Sequence, residues 1–236
     1  TLGADCGISM AAQLAILDSD LPTGKIECLF TTSEETGLDG AMALQPGFFE
    51  GKVLLNLDSE DEGEIFIGCA GGVDTVAYFA LEQEATPEGL SFYRVDVKDL
   101  VGGHSGDDIN KGRANSNKLI ARLMLSAQEQ FGARVSRIEG GNLRNAIPRE
   151  AYAVVGVPAE NAAAFEAMVQ SYASNVKATF TETEPDMNIT FSEVGGITSV
   201  LTSDLQGRLL TALVHVPNGV IAMSQAMEGL VETSTN

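Results

Sequence analysis

Apolar residues in the first third of the chain come in short blocks separated by acidic or glycine-containing turns, the pattern of a parallel sheet with crossover helices. An apolar helical segment over 8–17 is closed by Pro22-Thr23-Gly24. A short apolar strand over 25–32 then runs through the acidic turn Ser33-Glu34-Glu35-Thr36-Gly37 into a short helix around 38–44. Strands over 52–57 and 64–69 follow. Lys52-Val53-Leu54-Leu55-Asn56-Leu57 has little polar alternation, as expected of a strand covered on both faces.

After Gly71-Gly72 the pattern changes to longer amphipathic segments with polar alternation, which marks a boundary between a first domain over 1–72 and a second domain over 73–236. The second domain reads as strands over 74–83 and 90–98, a helix over 115–130, strands over 133–139 and 151–157, a helix over 162–180, a strand over 187–193 and a helix over 203–214. A β-α-β-β-α-β order lies within it, the ferredoxin-like split motif. The fold class is therefore α/β: part of a mostly parallel-sheet domain, followed by an α+β ferredoxin-like domain.

The chain has 236 residues and 44% of them are apolar, which leaves ample material for a core. Fourteen Lys and Arg against thirty-three Asp and Glu give a net charge of −19, which argues against nucleic acid or an anionic membrane as partner. Three widely spaced cysteines, Cys6, Cys28 and Cys69, make no disulfide framework and favour a reducing cytoplasm. The opening on Thr1 and the close on Asn236 suggest an internal fragment.

Asp5, the pair Glu34-Glu35 and Asp58 each fall at a strand end or at a loop opening a helix, on what should be one edge of the sheet. Each alone has a bland reading; Asp5 before a helix is a fair N-cap. Together they could supply oxygen ligands to divalent cations. Two adjacent carboxylates could also divide the work of ligation and proton transfer, one bound to metal and one free to accept a proton.

The strings Thr1-Leu2-Gly3-Ala4-Asp5, Glu34-Glu35-Thr36-Gly37-Leu38-Asp39-Gly40-Ala41, Leu57-Asp58-Ser59-Glu60-Asp61-Glu62-Gly63-Glu64, Gly102-Gly103-His104-Ser105-Gly106 and Leu143-Arg144-Asn145-Ala146-Ile147-Pro148-Arg149-Glu150 resemble the aminoacyl-histidine dipeptidases, a family of co-catalytic dizinc metallopeptidases. The resemblance implies that Asp5 bridges two zinc ions, Glu35 and Asp58 each bind one, and Glu34 is the general base. Cobalt or manganese could stand in for zinc. It also implies that His104, in a lid domain, polarises the scissile carbonyl and that Asn145 binds substrate, although Asn145 also reads as a turn residue before Pro148. The implied reaction is hydrolysis of dipeptides, aminoacyl-histidine by preference, with homodimerisation through the lid. A broad dipeptidase, an aminoacylase and a non-catalytic dimerisation module are the alternatives.

Two departures matter. Cys6 stands beside the expected bridging ligand, where it could be buried and inert or redox-sensitive. The family's two metal-binding histidines have no counterpart, since the chain's histidines are His104 and His215, the latter expected to pack within a helix. A site of carboxylates alone should hold zinc weakly, so the chain by itself is expected to be inactive.

Overall fold

The computed structural model describes residues 4–59 and 62–236, with side chains from Cys6 onward at the first helix. The chain separates into two compact units, Thr1–Asp74 and Thr75–Asn236.

In the first unit, α1 spans Ala4–Leu17, and two single-turn helices, α2 (Glu34–Gly37) and α3 (Asp39–Met42), follow each other directly. Ser33 and Leu38 flank α2 in the left-handed region, with φ of 57° and 60°. Gly40 lets α3 press against the preceding chain: its amide donates to Thr32 O at 3.0 Å, and a Cβ there would lie 2.5 Å from Thr32 N. Glu27 ties two further segments together by accepting from the amides of Glu50 and Gly51, the latter at 2.6 Å.

The strands expected over 25–32, 52–57 and 64–69 are not formed among the described residues. A strand buried on both faces needs ladder partners and helices over each face. These segments have neither, and Val53 and Ile67 are 82% and 100% exposed. The apolar runs reveal a demand for cover that the described residues of this unit do not meet.

The second unit carries the sheet. Its elements are β1 (Gln83–Ala85), β2 (Leu90–Lys98), β3 (Gly103–His104), α4 (Ser116–Phe131), β4 (Arg134–Gly140), β5 (Ala146–Ile147), β6 (Ala151–Pro158), α5 (Ala162–Thr179), β7 (Asn188–Val194), β8 (Ser199–Leu201), α6 (Ser203–His215), β9 (Gly219–Met223) and β10 (Val231–Thr235). The order β4-β6-β2-β7, antiparallel throughout, is the expected ferredoxin-like sheet. The first strand is shorter and later than its pattern suggests, because only Gln83–Ala85 finds a partner, in β8.

Alternation along β2 puts Tyr93, Val95 and Val97 into a core with Leu119, Leu123 and Met124 of α4 and Phe165 and Val169 of α5. The opposite face is polar, with the Arg94 guanidinium 3.9 Å over the Tyr152 ring and bonded to Asp96. The side chain of Asn115 caps α4 by accepting from Lys118 N, and Gly132 ends it at φ 65°. Buried Gln206 of α6 accepts from Val135 N and donates to Gln128 and to Ala133 O, so its polar atoms are satisfied. Among the described residues no helix is long and apolar enough to cross a membrane.

Candidate active site

The segment from Asp99 to Asn115 leaves β2 and returns as α4, carrying Gly102-Gly103-His104-Ser105-Gly106 across a short ladder. His104 pairs with Ala146 and Gly103 with Ile147. Ser105 N donates to Asn145 O at 2.9 Å. His104 and Asn145, separated in sequence, thus come together, both exposed.

Sterics dictate glycine in this loop. Gly102 and Gly103 adopt φ of 67° and 137°. A Cβ on Gly102 would lie 2.2 Å from Arg149 Cγ, and one on Gly103 would lie 2.0 Å from Arg113 Nη1. These close approaches belong to a polar frame. Asp108 accepts from His104 N at 2.8 Å and pairs with Arg113 at 3.0 Å and Lys111 at 2.6 Å. Arg113 also donates to Gly102 O, and Arg149 donates to Leu100 O at 2.9 Å. The Lys111 hydrogen bond, then the His104 amide and the Arg113 charge, hold the Asp108 carboxyl below its usual range.

The imidazole of His104 is 54% exposed, and its Nδ1 accepts from the amides of Gly106 and Asp107 at 3.2 and 3.3 Å. A nitrogen that accepts from two N–H groups carries no proton, so the neutral ring bears its hydrogen on Nε2. This arrangement presents a hydrogen-bond donor that can be aimed at a carbonyl oxygen.

The expected metal-site residues lie in the first unit. Glu34 and Glu35 open α2, both exposed, and Asp58 stands two residues after Asn56, whose side chain accepts from Asp58 N at 3.3 Å. The thiol of Cys6 donates to Leu57 O at 3.5 Å, so the residue after Asp5 touches the residue before Asp58. The Asp5 carboxylate lies outside the described residues, as do Glu60 and Asp61 of the acidic run. Among the described residues no group of three or more His, Cys, Asp or Glu side chains is placed to hold a metal ion. His215 ends α6 exposed rather than packed, its Nδ1 2.8 Å from Thr211 O.

Residues 89–184 match the peptidase dimerisation domain family. The cytosol non-specific dipeptidase of Escherichia coli (strain K12) is 40% identical over 237 residues, covering all of this chain and 49% of the relative. The crystal structure of an aminoacylhistidine dipeptidase from Vibrio alginolyticus aligns with a TM-score of 0.76 at 40% identity, over 99% of this chain and 48% of that one. The likeness to the dipeptidases runs the full length of the chain. The chain spans about half the length of the relatives it matches. Its mixed helix and strand architecture is that of the dipeptidase structure, and the match to the peptidase dimerisation domain family spans β2 through α5 and the turn beyond it.

The sequence missed the frame that holds His104. Asp108, Arg113 and Glu184 carry no motif that sets them apart from solvated charges; Asp108 and Arg113 find their partners within the loop itself, whereas the partners of Glu184 are the distant backbone amides of Val101 and Ala114.

Proposed function

We propose that the protein containing this sequence is a metal-dependent dipeptidase, in which His104 and Asn145 contact the substrate. The observation that supports this reading is the short ladder of Gly103 and His104 with Ile147 and Ala146, extended by the Ser105 N–Asn145 O hydrogen bond, which brings His104 and Asn145 onto neighbouring backbone while two amides hold the His104 Nδ1. His104 donates to the carbonyl oxygen of the scissile peptide bond, and the Asn145 amide orients the substrate. Glu34 takes the proton from the attacking water and passes it to the leaving amine.

Zinc, with Asp5, Glu35 and Asp58 as ligands, follows from the sequence resemblance. The described residues do not by themselves fit a zinc pair. They offer carboxylates without nitrogen ligands, and no three donor side chains converge. The 236-residue chain alone is therefore proposed to bind zinc weakly and to leave peptides intact. The relatives carry two specificities in their names, non-specific and aminoacyl-histidine, and the proposed substrate class is dipeptides with aminoacyl-histidine among them. A cytoplasmic setting is proposed on the strength of the cytosol relative.

The test compares metal content and hydrolysis by the whole protein with those of the 236-residue chain, using dipeptides ending in His or Ala. About two zinc ions and turnover in the whole protein, with neither in the shorter chain, support the reading. Turnover that survives Glu34→Gln removes Glu34 from its role.

The match over residues 89–184 favours a second, compatible reading: the second unit pairs two copies of the protein. Among the described residues β7 is hydrogen-bonded on one side alone, to β2, which leaves a strand edge for a partner. Sedimentation should give a dimer mass, and a monomer at micromolar concentration would sink this reading.

A further inference from the structure

The most deeply buried carboxylate in the second unit has no part in the reaction just proposed. Glu184 is 0% exposed and lies in the turn beyond α5. Its amide donates to Phe180 O at 2.8 Å and its carbonyl accepts from Met187 N at 3.2 Å. Its side chain reaches into the loop that carries His104. Oε2 accepts from Val101 N at 2.6 Å and Oε1 from Ala114 N at 2.8 Å. Those two amides stand at the departure and the return of the loop, just outside the glycines on one side and beside the cap of α4 on the other. Among the described residues no Lys, Arg or His forms an ion pair with Glu184.

We infer that Glu184 is the positioning residue of the His104 loop, its carboxylate joining both ends so that the amides of Gly106 and Asp107 meet Nδ1 and leave Nε2–H outward. The chemistry of the pair of acceptors is specific. Two inward-facing N–H groups need two acceptor atoms, and an ionised carboxylate offers two oxygens and no hydrogen. A glutamine would turn an NH2 group against one of those amides in a site sealed from water, leaving two donors face to face. Burying a carboxylate without a cation is costly, and backbone N–H groups aimed at each oxygen are what offset it. Asp108, Arg113 and Arg149 then shape the loop between the closed ends.

The catalytic consequence rests on the proposed role of His104, whereas the geometric claim does not, and the test keeps them apart. Ring nitrogen NMR of the full chain reads the tautomer of His104 directly, with His215 as internal reference. The expected result is Nε2–H for His104 and a mixture of tautomers in Glu184→Gln, with His215 unchanged. Amide hydrogen exchange at Val101 and Ala114 should be as slow as at Val95 and Val97 in the native chain and about tenfold faster or more in the variant. Tyr93→Phe, which weakens the same unit elsewhere, should leave the His104 tautomer untouched. A tautomer that stays fixed in Glu184→Gln overturns the inference. Should that variant fail to fold, the native chain decides: rapid exchange at Val101 and Ala114 overturns the joint, and exchange as slow as the core sustains it. In the whole enzyme, Glu184→Gln should lower kcat by more than tenfold with a smaller change in KM. Inactivity of the native enzyme would remove the proposed function and leave the loop geometry standing.

Discussion

The phenol of Tyr93 donates a 2.8 Å hydrogen bond to the Glu166 carboxylate, tying the central strand β2 to α5. Burial, and then this carboxylate, push Tyr93 up to about 12, and burial does the same to Tyr172, whose hydroxyl bonds Leu119 O. A phenol raised in the fold contributes stability that is fully present below its usual value near 10 and is lost as pH rises through its folded value. The second unit should therefore hold at neutral pH and weaken between about 10 and 12, followed by phenolate absorbance alongside circular dichroism. Tyr93→Phe should cost about 1 kcal/mol in urea melts at pH 7 and shrink that alkaline loss.

Lys118 joins two helices through its ammonium. Its Nζ donates to Leu213 O at 2.8 Å and Val214 O at 3.0 Å, and also to Val216 O, closing the C-terminus of α6 from α4. Lys118→Met keeps the packing of the stem and leaves those carbonyls without their donor. A loss of about 1–3 kcal/mol is expected in chemical denaturation, and an unchanged midpoint would show that water replaces the ammonium freely.

Gly103→Ala sets a methyl group where the Arg113–Asp108 pair lies, at a φ that L residues rarely adopt. The expected strain is about 1–3 kcal/mol, and the loop can shed it by abandoning the pair. Circular dichroism should stay native while the His104 amide exchanges faster and the whole enzyme loses activity. Full activity in this variant would show that the ladder with Ala146 is dispensable.

Acid should loosen the same loop. Asp108 is held below its usual value by Lys111, the His104 amide and Arg113, so its contribution is present above about 3.8 and is lost as pH falls through its lower folded value. Exchange-corrected protection of the His104 amide should drop in that range. Asp108→Asn should show reduced protection already at neutral pH and little further acid dependence.

The second unit was legible because its helices and strands alternate cleanly. The expected helices over 115–130 and 162–180 and the strand over 90–98 agree closely with α4, α5 and β2. Short ladders escaped: β3 and β5 are two residues each and exist only through each other, so no local pattern announces them. The first unit shows the opposite failure, because Val53-Leu54-Leu55 has the composition of a buried strand while burial depends on neighbours that composition does not specify. The family motif singles out His104 and Asn145 as expected site residues, yet their adjacency and the hydrogen on Nε2 come from backbone amides, which every residue except proline offers and no sequence distinguishes.

The placement of β2 at the centre of the sheet constrains the order in which this unit assembles. Val95 pairs with Ala153 on one side and with Phe191 on the other, both far down the chain. A strand made early must wait for partners made late, with α4 and α5 formed in between, and closing such long loops slows the search. During synthesis the sheet is complete only once β7 has emerged, and the His104 loop, anchored by a glutamate just upstream of that strand, cannot close until α5 has been made.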